Sequence, residues 1–277
     1  MFPKFECIAG ITIILIVSVS TAALNAFTVF VFIKHRNPRN RSAYLIINLA
    51  VADMLVGGFC LFDLSYFYGQ ICDIWNFDSY RFNYLRSAFV LLFLSCSLTN
   101  MTVISLERLH ATFWPFRHRV MKKWIYKAMI AVSWISAAVA SFSYSFYSWN
   151  FLNAFCLSVI CISHASIFFK VRNASHGLHH SSPSRDRKLT VTLFVVTFLS
   201  LALWLPYVVT SFVAYKHVIV LPVRLFYFFV FLFHTNSLIN PLLYLLKIPG
   251  YRRAFIGLCR TRCQQQRQGK VYPTNGL

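Results

Sequence analysis

The sequence predicts an all-α membrane protein, a bundle of seven transmembrane helices followed by a short amphipathic helix on the cytosolic side. Three observations carry that prediction. Composition is the first: of 277 residues 58% are hydrophobic and 12% charged, with 29 Phe, more apolar surface than a soluble domain of this length can hide. Run length is the second. Seven apolar stretches reach the roughly 20 residues that a helix needs to cross about 30 Å of hydrocarbon, and none shows the alternation of a membrane barrel strand. The third is the placement of charge. With the amino terminus outside, every one of the 27 Lys and Arg except Lys4, Arg81, Arg86, Lys216 and Arg224 falls on the cytosolic side, as the positive-inside bias requires.

The elements follow in order. Residues 1–6 form a short extracellular segment. The first span, 7–33, ends in Lys34-His35-Arg36 and is too long, and too poor in small residues at its end, for a cleaved signal peptide. The second, 43–68, carries Asp53. The third, 83–109, places Leu94, Ser97, Met101, Ile104 and Arg108 on one helical face that runs from mid-membrane to the cytosol. Spans 124–147 and 152–172 are separated only by the region of Ser148-Trp149-Asn150, which demands a tight connection. A polar linker over 173–187 holds His176, His179 and His180; it lacks cysteine or acid partners at ligand spacing and reads as a solvated loop rather than a metal site.

The sixth span, 187–214, contains Pro206 two residues after Trp204, and the missing N–H should kink it there. The seventh, 219–245, closes the bundle over 7–245. In the tail, 246–277, the stretch from Tyr251 to Cys259 reads as an amphipathic helix with Arg252, Arg253, Phe255 and Ile256. Cys259 and Cys263 beside these bases suit palmitoylation, with unmodified thiols as the alternative.

Asn236, Asn240 and Tyr244 recur every four residues, a polar stripe on an apolar cylinder. Unpaired amides in hydrocarbon cost several kcal/mol each, so the stripe should meet other helices, water or an ion. Asp53 is its natural counterpart. The set of Asp53, Ser97, Asn236, Ser237 and Asn240, with Asn25 nearby, suits a small hard cation; equally, these groups can bond one another and buried water. Nucleic-acid binding does not fit a net charge of +20 that is spread through short loops. No nucleophile and base pair or phosphate loop marks an enzyme, and no repeated halves mark a transporter.

Taken together, Asn25, Leu49-Ala50-Val51-Ala52-Asp53, Glu107-Arg108-Leu109, Pro115, Trp134, Leu203-Trp204-Leu205-Pro206 and Asn240-Pro241-Leu242-Leu243-Tyr244, each in its own span, resemble the rhodopsin-like (class A) G-protein-coupled receptors along nearly the full chain. The resemblance implies a plasma-membrane receptor that takes an extracellular ligand and activates a heterotrimeric G protein. It implies a sodium ion, bound at rest, on Asp53, Ser97, Asn236 and Asn240, with no other cofactor. It also implies an activation switch built from Glu107, Arg108, Asp186, Trp204, Pro206, Asn240, Pro241 and Tyr244. In that switch Arg108 pairs with Glu107 or, across the bundle, with Asp186, while the alternative is that the side chains snorkel into water. The implied ligand pocket is walled by Val90, Leu91, Leu94, Trp204, Tyr207, Val208, Phe226, Val230 and His234.

Several positions depart from the family pattern. Asn83 stands where a cysteine usually bonds the following extracellular loop, Cys156 and His164 replace the fifth-helix proline and tyrosine, Ser200 replaces a phenylalanine before Trp204, and Leu109 ends the third-helix triplet. Cys7 and Cys72 both lie near the outer surface and can pair if geometry allows. Val90 occupies the place of the amine receptors' aspartate and His234 that of the opsins' lysine, which disfavours a biogenic amine or retinal. The short second loop is similar to that of melanocortin, cannabinoid and lysophospholipid receptors and favours a lipid or a peptide. Glu6, Asp63, Asp73 and Asp78 predict an acidic mouth. A non-signalling seven-helix protein or dimerisation partner is the competing expectation.

Overall fold

In this computed structural model the described residues are 3–34, 42–74, 79–143, 146–175, 185–215, 222–247 and 251–257, and among them no strand occurs. The helices are α1 (Lys4–Lys34), α2 (Ala43–Ile71), α3 (Tyr80–Phe113), α4 (Pro115–Arg119), α5 (Lys123–Phe142), α6 (Phe146–Ser175), α7 (Arg185–Tyr215) and α8 (Val223–Lys247). Residues 251–257 add a last helix, α9. Six of the long helices are apolar enough to cross a membrane over their described length, and α7 adds a shorter apolar stretch, Phe198–Val213.

The seven expected spans all appear, but most helices outrun the apolar runs. Their polar ends continue the backbone ladder beyond the hydrocarbon, so α3 begins at Tyr80 and continues to Phe113. One boundary is wrong. Ser148-Trp149-Asn150 do not divide the fourth and fifth spans; they lie inside α6, and the break falls after α5 ends at Phe142. The physical reason is that Trp149 points inward, 5% exposed, against Tyr207 and Phe233, so this polar-looking triplet is a packed helical turn. The helix α4 was not expected; Pro115, at its start, is pre-set for a helical first turn and lacks an N–H that would be orphaned there anyway.

Long, outward-facing side chains such as Phe30, Phe151, Ile162 and Phe198 remain exposed, as a lipid-facing surface requires. The most inward helix is α3, which packs against α2, α5 and α6, while α1 lies against α2 and α8. Helices α1 and α2 approach so closely that a Cβ on Gly57 would lie 2.7 Å from Ala22 N and 2.9 Å from Ser18 O. Only glycine fits at that crossing.

At the end of the bundle where α1 begins, Cys7 and Cys72 are joined by a disulfide with Cα atoms 6.1 Å apart. Glu6 accepts from Arg224 of α8 at 2.9 Å. Asp63 and Arg86 form a buried ion pair, with the guanidinium 5.0 Å above the Tyr66 ring. Of the four acids expected at the mouth, Glu6 and Asp63 are held by arginines, Asp73 lies in the turn after α2, and Asp78 lies outside the described residues. At the opposite, basic end, α9 docks through Tyr251, whose hydroxyl is 2.9 Å from Thr28 Oγ1 and whose ring meets Phe27 and Tyr244.

Candidate functional site

Pro241 has no N–H, so the carbonyl of Ser237, one turn earlier in α8, loses its helical partner. Asn25 of α1 supplies the replacement, donating Nδ2 to Ser237 O at 3.0 Å and to Thr21 O at 2.9 Å. Beside it Asp53, fully buried, accepts from Ser97 Oγ at 2.6 Å and from Asn240 Nδ2 at 2.7 Å. Helices α1, α2, α3 and α8 thus meet at one polar knot, as the stripe on the last span required. Among the described residues, Asn25 Oδ1 and Asn240 Oδ1 are buried in the knot, and Asn236 Oδ1 is buried one turn before Asn240 on α8, each without a hydrogen-bond partner. The knot holds a carboxylate and spare amide oxygens on Asn25 and Asn240, the donor chemistry of a hard-cation site.

A second cluster lies at the basic end. Glu107 is buried and faces Arg108 Nε at 3.1 Å, Ser42 Oγ at 2.7 Å and His118 Nε2 at 2.7 Å, with the Tyr126 hydroxyl at 3.5 Å. Among the described residues the ion-pair partner of Arg108 is its neighbour in the chain. Asp186 falls in the first turn of α7, whose side chains lie outside the described residues. Arg108 edges a narrow recess with Leu45, Leu49, Met101, Ile104 and Tyr244 in its walls.

The third group is aromatic. Phe233 of α8 sits at the centre, 4.4 Å from the rings of both Trp204 and Tyr207 and 6.3 Å from Trp149. Val90, Leu94 and Trp204 belong to this buried cluster, with Leu91, Tyr207 and Val208 packed on it. Val230 does not; it packs instead on Ile14, Cys60 and Leu64, on the side of α1 and α2. His234 is buried, its Nδ1 2.8 Å from Val230 O. The side chain of Phe226 is outside the described residues. Pro206 lies within α7, where Thr210 Oγ1 donates to its carbonyl at 2.8 Å.

Residues 24–156 and 143–244 match the family described as "7 transmembrane receptor (rhodopsin family)". The chain belongs to this family. Similar proteins include the histamine H2 receptor of Homo sapiens, 28% identical over 285 residues, which covers 86% of this chain and 76% of that one. The adenosine receptor A3 of Canis lupus familiaris is 30% identical over 124 residues, 43% of this chain and 38% of its own. The substance-K receptor of Mus musculus is 33% identical over 125 residues, 45% and 31% respectively. The chain thus spans well under half the length of these last two. All three are receptors rather than enzymes, and this receptor is a multi-pass membrane protein.

One of its departures from the family pattern has a local answer. His164 takes a hydrogen-bonding place on α3, its Nε2 3.1 Å from Ser105 Oγ. Trp134 donates to Asn48 Oδ1 at 3.1 Å, and Asn48 in turn bonds Asn100, tying α5 to α2 and α3. Sequence reasoning missed Asn48, Asn100, Ser42, His118 and Phe233. Phe233 alone had a legible signal, since it continues the inward face of Ser237, Asn240 and Tyr244 one turn higher. Cys259 and Cys263 lie outside the described residues.

Proposed function

We propose that this receptor, in the plasma membrane with its amino terminus outside and its tail in the cytosol, couples an extracellular ligand to nucleotide exchange on a heterotrimeric G protein. The observation that carries the reading is the Glu107 cluster. A single buried carboxylate gathers Arg108, Ser42 and His118 at the edge of a narrow apolar recess, which is what a latch over a closed docking site needs. Opening requires α7 to move away from the bundle, and Pro206, two residues beyond Trp204 toward the outer end, gives it a place to bend.

Ligand reaches the switch through those rings. A body bound among Val90, Leu91, Leu94, Tyr207 and Val208 presses on Phe233 and Trp204, and the apolar walls favour a lipid or a peptide over an amine. The names of the relatives, adenosine, substance-K and histamine, span different ligand chemistries and do not choose among them.

The polar knot fits a sodium ion. Asp53, Ser97, Asn236 and Asn240 would hold it, and the ion would supply positive charge that offsets the buried carboxylate and fixes the resting arrangement. Melting the purified receptor in sodium and in choline tests this, with stabilisation by sodium expected and its loss in Asp53→Asn; equal sodium dependence in both proteins rejects the ion.

Exchange on purified G proteins, with and without screened ligands, tests the main reading. Arg108→Ala should abolish exchange that the unaltered receptor supports. A receptor that is folded, at the surface and silent toward every G-protein class would instead be the non-signalling protein to which Leu109 and Ser200 point.

A further inference from the structure

Asn153 of α6 is 0% exposed, yet among the described residues neither end of its amide, Oδ1 or Nδ2, has a hydrogen-bond partner. Its own helix sets its direction. Trp149, Asn153, Cys156, Ile160 and His164 recur every three or four residues and are all buried, so they form the inward stripe of α6. One turn before Asn153, Trp149 lies 6.1 Å from the Tyr207 ring and 6.3 Å from Phe233. Farther along the stripe His164 meets Ser105 of α3. Asn153 stands between these contacts and points into the bundle beside the aromatic group. The Nε1 groups of Trp149 and Trp204, whose rings flank Phe233, are likewise buried and unpartnered among the described residues. Each such group costs stability until something pairs with it.

Charge narrows what that something can be. The stretches of α3 between Arg86 and Glu107, α6 before Lys170, α7 beyond Lys188 and α8 between Arg224 and Lys247 hold no Asp, Glu, Lys or Arg. A carboxylate or an ammonium would arrive among rings with no counter-ion from these helices, and its desolvation would go uncompensated. The matching group is neutral, and it donates and accepts side by side.

We propose that Asn153 selects a ligand that bears a primary carboxamide on an apolar carrier. The ligand's N–H donates to Asn153 Oδ1 while its carbonyl accepts from Nδ2, so a single side chain makes two parallel bonds and no second residue has to converge on the group. The carrier lies among Leu94, Tyr207 and Phe233, and Trp149 turns aside to admit the head. A fatty amide and a peptide with an amidated carboxyl end share this chemistry. The inference rests on the ligand pocket proposed above. Binding is measured on the receptor alone, so silence toward G proteins would reject signalling and leave the amide site standing.

The full receptor in phosphatidylcholine nanodiscs is melted with dodecanamide, methyl dodecanoate or dodecanoic acid, and with N-acetyl-leucyl-phenylalaninamide or its free acid; native mass spectrometry measures the ligand retained. At least one amide should raise the melting temperature by about 2–4 °C and be retained about tenfold or more over its acid, and the amide that does so names the carrier. The methyl ester, which accepts and cannot donate, should fall short of dodecanamide. Asn153→Leu should abolish the preference for the amide. Without ligand it should melt above the unaltered receptor, because leucine fills the same place with no idle donor or acceptor, and that rise also shows the variant to be folded. Amides retained no better than their acids, an undiminished preference in Asn153→Leu, or a ligand-free Asn153→Leu receptor that melts lower, as it would if buried water already satisfied the amide, would each overturn the proposal.

Discussion

Truncating Asn25 should harm the receptor less once Pro241 is gone. In the native chain the Asn25 amide is the donor to a carbonyl that proline has stripped of its helical partner, at 3.0 Å and in a fully buried setting. Asn25→Ala leaves Ser237 O without a donor, and a buried polar group so abandoned costs about 1–3 kcal/mol. Pro241→Ala restores an N–H one turn below Ser237, so in that background the carbonyl satisfies itself and Asn25 becomes partly redundant. The second bond of Asn25, to Thr21 O within α1, is lost equally in both backgrounds, as is its side-chain volume. Those terms cancel in a double-mutant cycle.

The expected result is a coupling of about 1–2 kcal/mol between the two sites, with the double variant more stable than the two single losses added together. Unfolding free energies of the four proteins in mixed detergent micelles, read by tryptophan fluorescence, supply the cycle. Losses that add to within about 0.5 kcal/mol would show that Asn25 does not serve the proline break, and that the polar knot is not organised around the orphaned Ser237 carbonyl.

Gly57→Ala should destabilise the receptor by about 1–3 kcal/mol, because the new methyl meets the α1 backbone, whereas Gly58→Ala, with nothing within 4 Å, should be neutral or stabilising; equal melting of the two variants refutes the close crossing. Asp63→Ala should cost about 3–5 kcal/mol by stranding Arg86, and Asp63→Leu with Arg86→Met should recover much of it in the same unfolding assay. Cys7→Ser with Cys72→Ser opens a closure 65 residues long and should lower stability by about 2–4 kcal/mol, while a mild reductant should affect only the unaltered receptor. Glu107→Gln removes the charge that faces both Arg108 and His118 and should raise ligand-independent nucleotide exchange at equal surface expression; unchanged basal exchange speaks against the latch.

The polar knot is the most legible part of the site. Asp53, Ser97 and Asn240 each stand out on an apolar helix, and lipid leaves such groups few ways to be satisfied, so their meeting follows from the solvent alone. Charges near the ends of spans carry no such constraint. Asp63 and Arg86 sit where water is within reach, and their positions in the chain fit an open mouth equally well; only the packing of α2 on α3 buries them together. The Cys7–Cys72 bond has the same character, since the pairing depends on how tightly α1 lies against α2, which Gly57 sets from the middle of the helix.

Glu107 shows most clearly why the remainder was hidden. Its neighbour Arg108 could be read from adjacency, but His118 reaches it only because Pro115 starts a new helix that turns the chain back toward α3, and Ser42 only because α2 begins beside the same spot. A sequence shows that a buried carboxylate must be compensated and leaves open which groups do it. Among the described side chains the compensation comes from Ser42 just before α2, Arg108 of α3, His118 of α4 and Tyr126 of α5. Basal exchange that responds more strongly to Glu107→Gln than to any substitution of Asp186 would show that these groups alone hold the latch and that its release is a step separate from the movement of α7. The reverse order, measured at matched expression, would place the governing contact across the bundle.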